Sequence, residues 1–237
     1  MTAQPAAIPM QRSFGEAAVR LGLRAGRAHL QGLRQRGSAK AILPHAGAVP
    51  EIVFLNTSGG LTGGDLLSYA LTLEDGVRAI ATTQTAERAY RAGRGRAQVE
   101  VTMEVGAGGW LDWLPQETIL FDDAALSRRT RIVLAPGAGC LALEGAALDH
   151  PAVLGQARAF ASLVLVAPGA ADALAPLRAV LDEPGVEGAA SALDGRVMCR
   201  LRAGDGWPLR RQIARALAVL RRGAPLPRVW QGMERIA

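Results

Sequence analysis

The sequence predicts a mainly β protein: a solenoid-like or sandwich-like stack of short strands, with two helices in the C-terminal third. Three observations carry this. Apolar and polar residues alternate with a period of two in several short stretches, the mark of half-buried strands. Turn signals built on glycine, proline and aspartate recur between those stretches. The 3.6-residue helical period appears only late in the chain. Strands at this spacing read as antiparallel β structure, arranged as a sandwich, barrel or solenoid.

Along the chain, Val19-Arg20-Leu21-Gly22-Leu23 alternates first, then Leu67, Tyr69, Leu71 and Leu73, then Val99, Val101, Met103 and Val105. Ile52–Leu55, Arg131–Leu134 and Leu163–Val166 are short continuous apolar runs, read as strands buried on both faces. Glu74-Asp75-Gly76, Gly93–Gly95, Gly106–Gly109 and Pro136–Gly139 separate them as turns. Ala171–Leu181 reads as a helix with Leu174, Leu177 and Leu181 on one face and Asp172 as its cap, in which Pro176 is awkward unless it lies in the first turn. Pro208–Leu220 is the stronger helix. Pro208 suits the first helical position, and Leu209, Ile213, Leu217 and Leu220 form its buried stripe. Arg210, Arg211 and Arg215 lie outside that stripe and read as a solvated basic face. Arg221 and Arg222 suit the negative end of the dipole, and Gly223 the stop. No internal sequence repeat or low-complexity linker is evident.

Composition narrows the function classes. The 237 residues are 49% apolar, enough for a core without crosslinks, and read as one domain. Two cysteines without framework spacing, Cys140 and Cys199, suit a reducing cytoplasm, and Cys140 reads as a buried inert thiol. No signal peptide or membrane-spanning run is seen. Residues 1–50 carry seven basic and one acidic residue, residues 51–195 ten and eighteen, and residues 196–237 ten and two. Arginine supplies all but Lys40 of these cations and favours carboxylate partners at protein interfaces. At 4% aromatic residues and with no groove-reading motif, nucleic acid is not expected as a partner.

The densest signal is Asn56-Thr57-Ser58-Gly59-Gly60-Leu61-Thr62-Gly63-Gly64-Asp65, two glycine pairs after an apolar run. Such pairs suit positive φ or close backbone approach. It is not a phosphate loop, because no Gly-Lys-Ser/Thr comes after it, nor a dinucleotide fingerprint, because the next segment has a strand pattern. Ser58 has no designated histidine base. The histidines His29, His45 and His150 lie too far apart for a closed zinc site. The aromatic strip Trp110–Phe121, interrupted by Pro115, reads as buried core with a bulge. These residues alone leave open a hydrolase or transferase that holds an anion in the glycine loop. They also leave open a plain β interaction domain with no metal role.

Four segments, in order, resemble the urease accessory protein UreD family. Pro50–Asp65 looks like the family's central signature, Thr82–Arg91 its next block, Leu114–Phe121 its third, and Leu226–Trp230 its C-terminal ending. The resemblance implies a cytoplasmic, non-enzymatic chaperone for nickel urease. Such a protein joins the accessory proteins UreF and UreG, the latter a GTPase, to apo-urease for nickel insertion. It implies no tightly bound cofactor, with nickel only in transit. It also implies a solenoid-like β fold with two helices near the C-terminus. An internal nickel passage has been proposed for the family, and on this chain Asp65, Glu87 and Glu117 are the candidates to line it. Family members usually carry, after the strand near Cys140, a block with a Gly-Arg-x-x-x-Gly-Glu pattern and further strands. Here Cys140–Gly145 runs at once into Ala147-Leu148-Asp149-His150-Pro151, which resembles the family segment on the far side of that block. The single domain, 1–237, is therefore expected to lack an internal block near residues 141–148, and loss of strands to expose β edges. A degenerate paralogue is the alternative.

Overall fold

The alternating segments become stacked strands that bury one row each. The computed structural model describes residues 12–44, 47, 49–149 and 156–231. His45 and His150 lie outside them. Fifteen strands are described: β1 (Phe14–Arg24), β2 (Arg27–Gly37), β3 (Ala39–Ile42), β4 (Glu51–Asn56), β5 (Leu66–Leu73), β6 (Arg78–Thr83), β7 (Glu87–Ala89), β8 (Ala97–Val105), β9 (Trp110–Trp113), β10 (Thr118–Leu120), β11 (Leu126–Leu134), β12 (Gly139–Leu148), β13 (Ala159–Val166), β14 (Val186–Leu193) and β15 (Arg196–Ala203). One sheet runs β11-β8-β5-β1-β2 and the other β14-β15-β13-β12-β9-β6-β4-β3. β7, β10 and the end of β12 form a third, narrow strip.

From β5 to β12 the chain winds as a solenoid. Each coil lays one strand on each sheet, and the first two complete the narrow strip with β7 and β10. Leu66 stacks on Gln98, Ala97 on Leu126, Glu87 on Thr118 and Thr118 on Ala146, so equivalent positions recur every 28 to 32 residues. Leu67, Tyr69, Leu71 and Leu73 face Val99, Val101, Met103 and Val105 in register, and all eight are buried. Ala79 and Ala81 stack in the same way on Leu111 and Trp113 across the second sheet. Each fully buried aliphatic side chain contributes about 1.5–3 kcal/mol, so these rows hold the coils together.

The central strands are parallel, which corrects the antiparallel expectation. The turns that suggested hairpins instead carry the chain from one sheet to the other. Gly76, Gly108 and Gly137 occupy left-handed conformations (φ 72, 63 and 72) at the same corner of three successive coils. Those corners stack, Gly76 N–H donating to the Ala107 carbonyl and Gly108 N–H to that of Pro136. The repeat is therefore carried by turn spacing rather than by residue identity. Antiparallel strand pairs are confined to the ends, in β1–β2, β3–β4 and the β12–β13–β15–β14 run, apart from one isolated antiparallel bridge between Arg91 and Ala124.

Two apolar runs also differ from expectation. Arg131–Leu134 belongs to β11, an edge strand that is half-buried on one side and exposed on the other. Leu163–Val166 alternates buried and half-buried residues within β13. Of the run Ile52–Leu55 in β4, Ile52, Val53 and Phe54 are buried on both faces as read, while Leu55 is half-buried.

The C-terminal layer covers the outer face of the second sheet. A 3₁₀ turn, Ala170–Ala173, leads into α1 (Leu174–Ala179), succeeded by α2 (Gly206–Leu220) and α3 (Arg228–Gln231). Asp172 lies inside the 3₁₀ turn and caps neither helix. α2 starts two residues before Pro208, capped by Asp205, whose carboxylate accepts from Trp207 N–H at 2.7 Å. Leu209, Ile213, Leu217 and Leu220 are buried as predicted. At its other end Arg222 N–H donates to Val219 and Gly223 N–H to Ala218, a Schellman pair whose left-handed residue is Arg222 (φ 52), one place before the predicted glycine. The basic face is not merely solvated: Arg210 pairs with Glu117, Arg211 with Glu183, and Arg215 with Asp182 and Glu183. Arg221 reaches under the layer to Asp112.

Candidate functional site at the glycine-loop corner

The four segments singled out in the sequence meet at one corner of the solenoid. The Asn56–Asp65 loop leaves β4 through a turn in which Asn56 Oδ1 accepts from Ser58 N–H at 3.0 Å. Leu61 then inserts beside β7, donating to the Arg88 carbonyl at 2.7 Å and accepting from Tyr90 N–H at 2.8 Å. The glycines permit that approach. A Cβ on Gly60 would lie 2.5 Å from the Tyr90 ring, and one on Gly63 2.2 Å from the Arg94 carbonyl oxygen.

The third and fourth segments lock onto the same corner. The Leu114 carbonyl accepts from the Thr82 hydroxyl at 2.6 Å and from the Trp230 indole at 2.9 Å. The Gln116 N–H donates to the Thr83 hydroxyl at 2.9 Å, and Glu87 N–H to the Glu117 carbonyl at 3.0 Å. Leu111, Trp113 and Leu114 are fully buried, as the strip's pattern suggested, while Trp110 and Phe121 are half-buried. Residues from Thr82, Leu114 and Trp230 thus converge through one carbonyl.

The three predicted acids have different surroundings. Asp65 is buried, and both its oxygens are engaged: Oδ1 accepts from Ser13 N–H at 2.7 Å and Oδ2 from Thr62 N–H at 2.8 Å. It ties the start of β1 to the loop. Glu117 forms a two-oxygen ion pair with Arg210 (3.2 and 2.9 Å), whose guanidinium also lies 5.0 Å from the Trp230 ring centroid. Glu87 lines a cleft of ≈ 340 Å³, together with Asn56, Gly60, Tyr69, Thr83, Gln116 and Arg128, whereas Glu117 lines a separate cavity of ≈ 350 Å³ with Arg210 and Trp230. Glu117 immediately precedes β10, and its carbonyl accepts from Glu87 N–H of β7, whereas Asp65 is not part of the cleft wall.

Burial sets the electrostatics of the cleft. It pushes the Glu87 carboxyl above its ordinary range, against the Asn56 amide donating at 3.3 Å and the Arg128 charge. Burial, and then the Glu87 charge, raises the Tyr69 hydroxyl. Arg128 is itself held by Glu144 at 3.1 Å, and that carboxylate also accepts from Thr130 and from the Trp113 indole. One buried donor in the wall, Gln116 Nε2, has no partner among the described residues. Sequence reasoning missed Arg128 and Glu144, whose pairing between coils leaves no local signal, and did not single out Gln116 within the Leu114–Phe121 segment.

Catalytic readings find little support in this geometry. The Ser58 hydroxyl donates to Asn56 Oδ1 at 2.8 Å, and His29 faces the Gly22 carbonyl on the far strand pair. Burial pushes the Cys140 and Cys199 thiols up to about 11, which leaves them unreactive. Among the described residues no three His, Cys, Asp or Glu side chains are grouped to hold a metal ion. No described helix is long and apolar enough to cross a membrane.

The fold and the corner define a class: a parallel β-solenoid, capped by a helical layer, whose most distinctive residues lock its coils together. Comparison with known proteins places it more narrowly. The sequence model of the UreD urease accessory protein family matches residues 13–147 and 142–231, and the chain belongs to that family. It is 57% identical to a urease accessory protein UreD of Cereibacter sphaeroides over 94% of this chain and 96% of that protein. It is 54% identical to one from Paracoccus denitrificans over 95% of each. The first alignment runs over 265 positions, more than the 237 residues of this chain, so that relative carries residues this chain lacks.

Proposed function

We propose that the chain is a non-enzymatic scaffold of urease maturation, acting in the cytoplasm to join UreF and UreG to apo-urease while nickel is inserted. The observation that carries this reading is the convergence of all four family segments on one intact corner. Membership of a family named for urease accessory proteins supplies the system in which it acts. Nickel is cargo here, not a resident cofactor. The donor set fits that role: one partly desolvated carboxylate with amide oxygens nearby suits brief contact with a divalent ion of intermediate hardness.

Of the three candidate residues, Glu87 is the one we assign to direct contact with nickel in transit. Glu117, just before the adjoining strand, would act next along the route once Arg210 releases it, and Asp65 keeps the loop in place beside the cleft. We also read residues 1–237 as one domain shortened near 141–148. The two matched segments meet at 142–147, and the alignment to the Cereibacter relative is longer than this chain. Glu87→Gln should lower urease activation while the complex with UreF and apo-urease still assembles. Unchanged activation in the Asp65→Asn, Glu87→Gln double variant would overturn the passage and leave an interaction scaffold with no metal role.

A further inference from the structure

We propose that the free edge of β11 is a docking edge for an extended, acidic segment of a partner polypeptide. β11 ends its sheet, and among the described residues no strand pairs with its outer side. Ala125 accepts from Ala97 N–H and Ala135 donates to the Val105 carbonyl, with unbroken register between them. In a parallel ladder this pattern turns the odd-numbered residues toward β8. The even-numbered residues, Arg128, Thr130 and Ile132 among them, therefore direct their N–H and C=O groups to the open side. Five residues of a nine-residue strand thus turn unpaired N–H and C=O groups outward, a length that partner strands commonly extend.

Two further observations point to an absent neighbour. The inward row of β11, Leu126, Ile132 and Leu134, is only half-buried, whereas Ala97, Met103 and Val105, their partners on β8, are fully buried. The second sheet does not stop at the same level, since β12 goes on to pair with β13. The expected exposed edge is thus found on β11 and not on β12. The relatives offer a measure of what is absent. The alignment to the Cereibacter protein spans 265 positions but takes in 94% of this chain's 237 residues, so about 42 of its positions have no counterpart here, more than the 28 to 32 residues of one coil.

Charge selects the occupant. The outward row of β11 carries Arg129 and Arg131, both exposed, and among the described residues neither has an ion-pair partner within 4 Å. A second copy of this chain fits poorly. Antiparallel pairing about Thr130 would set Arg129 against Arg131 of the other copy, and like charges directly opposite are destabilising. A segment with carboxylates outward and apolar residues inward matches both rows. β8 shows the pattern, with Glu100 beside Arg129 and Val101 and Met103 turned inward.

The test uses the capped synthetic peptide of residues 97–105, labelled, titrated into the full chain and followed by anisotropy, with amide exchange as a second readout. Saturable binding is expected, with new protection at Arg128, Thr130 and Ile132. Arg129→Glu with Arg131→Glu should weaken it about tenfold without changing the melting temperature. A peptide with Glu100→Lys and Glu104→Lys should then bind that variant better than it binds the natural chain. No binding, binding indifferent to the charge reversal, or protection elsewhere than β11 would each overturn the proposal. So would a dimer of the natural chain that the same reversal abolishes.

Discussion

The indole of Trp230 donates a hydrogen bond to the carbonyl of Leu114, 2.9 Å away and 116 residues earlier in the chain. That carbonyl precedes Pro115, which has no N–H to continue a ladder, and it serves instead as a junction for Thr82 and Trp230. The contact fastens the C-terminal layer to the solenoid at the corner where the glycine loop sits. Trp230→Phe keeps an aromatic ring and removes the donor, and is expected to cost about 1–2 kcal/mol in urea unfolding. Trp230→Ala removes both and should cost about 3–5 kcal/mol. Unchanged stability in Trp230→Phe would show that the hydrogen bond is idle.

Arg221 and Asp112 form the buried half of the same attachment. Their Nε–Oδ2 distance is 2.8 Å, with side-chain exposures of 4% and 9%. Breaking a pair this deep leaves an uncompensated charge, so Arg221→Ala is expected to destabilise by about 3–5 kcal/mol. Arg215→Ala, which removes an exposed cation from the same layer, should change stability by less than about 1 kcal/mol. Chemical denaturation of both variants decides whether the layer is held by the buried pair or by the surface cluster.

Asp65→Asn separates structure from transit. The aspartate accepts one backbone N–H on each oxygen, and an asparagine must turn an NH₂ group toward one of those donors. A loss of about 1–3 kcal/mol is expected, with protection from amide exchange lost at Ser13 and Thr62. A variant of unchanged stability would remove Asp65 from the scaffold of the loop.

Much of this was legible in the sequence, and the misses share a cause. The period-two rows of Leu67–Leu73 and Val99–Val105 revealed the strands and their buried faces, because burial on one face acts residue by residue. Strand direction was hidden, since the left-handed turns at Gly76, Gly108 and Gly137 look the same in a hairpin as in a coil corner. Their even spacing was the available clue. Asp65 stood out by its place in the loop, yet its work depends on Ser13, 52 residues away. The Arg128–Glu144 pair, formed between coils, had no local signal at all.

Glu87 predicts a pH signature. Its carboxyl titrates above the ordinary glutamate range because it is buried, so between the unfolded and folded values the folded chain holds the extra proton. Stability contributed by this group is therefore largest in acid and falls as pH rises through that window. Glu87→Gln should flatten the decline on the alkaline side of the ordinary glutamate range, and near neutral pH it should be as stable as the natural chain or more so. Urea midpoints across weakly acidic to neutral pH measure this. A steeper decline in the variant would mean that the carboxylate is stabilised, not penalised, at its site.

Whether this solenoid works as a urease-maturation scaffold is decided by its retention on immobilised apo-urease together with UreF. The longer Cereibacter relative serves as the positive control. Co-retention of this chain in stoichiometric amounts is expected. Retention of the longer relative alone, under identical conditions and with both proteins folded, would contradict the scaffold role.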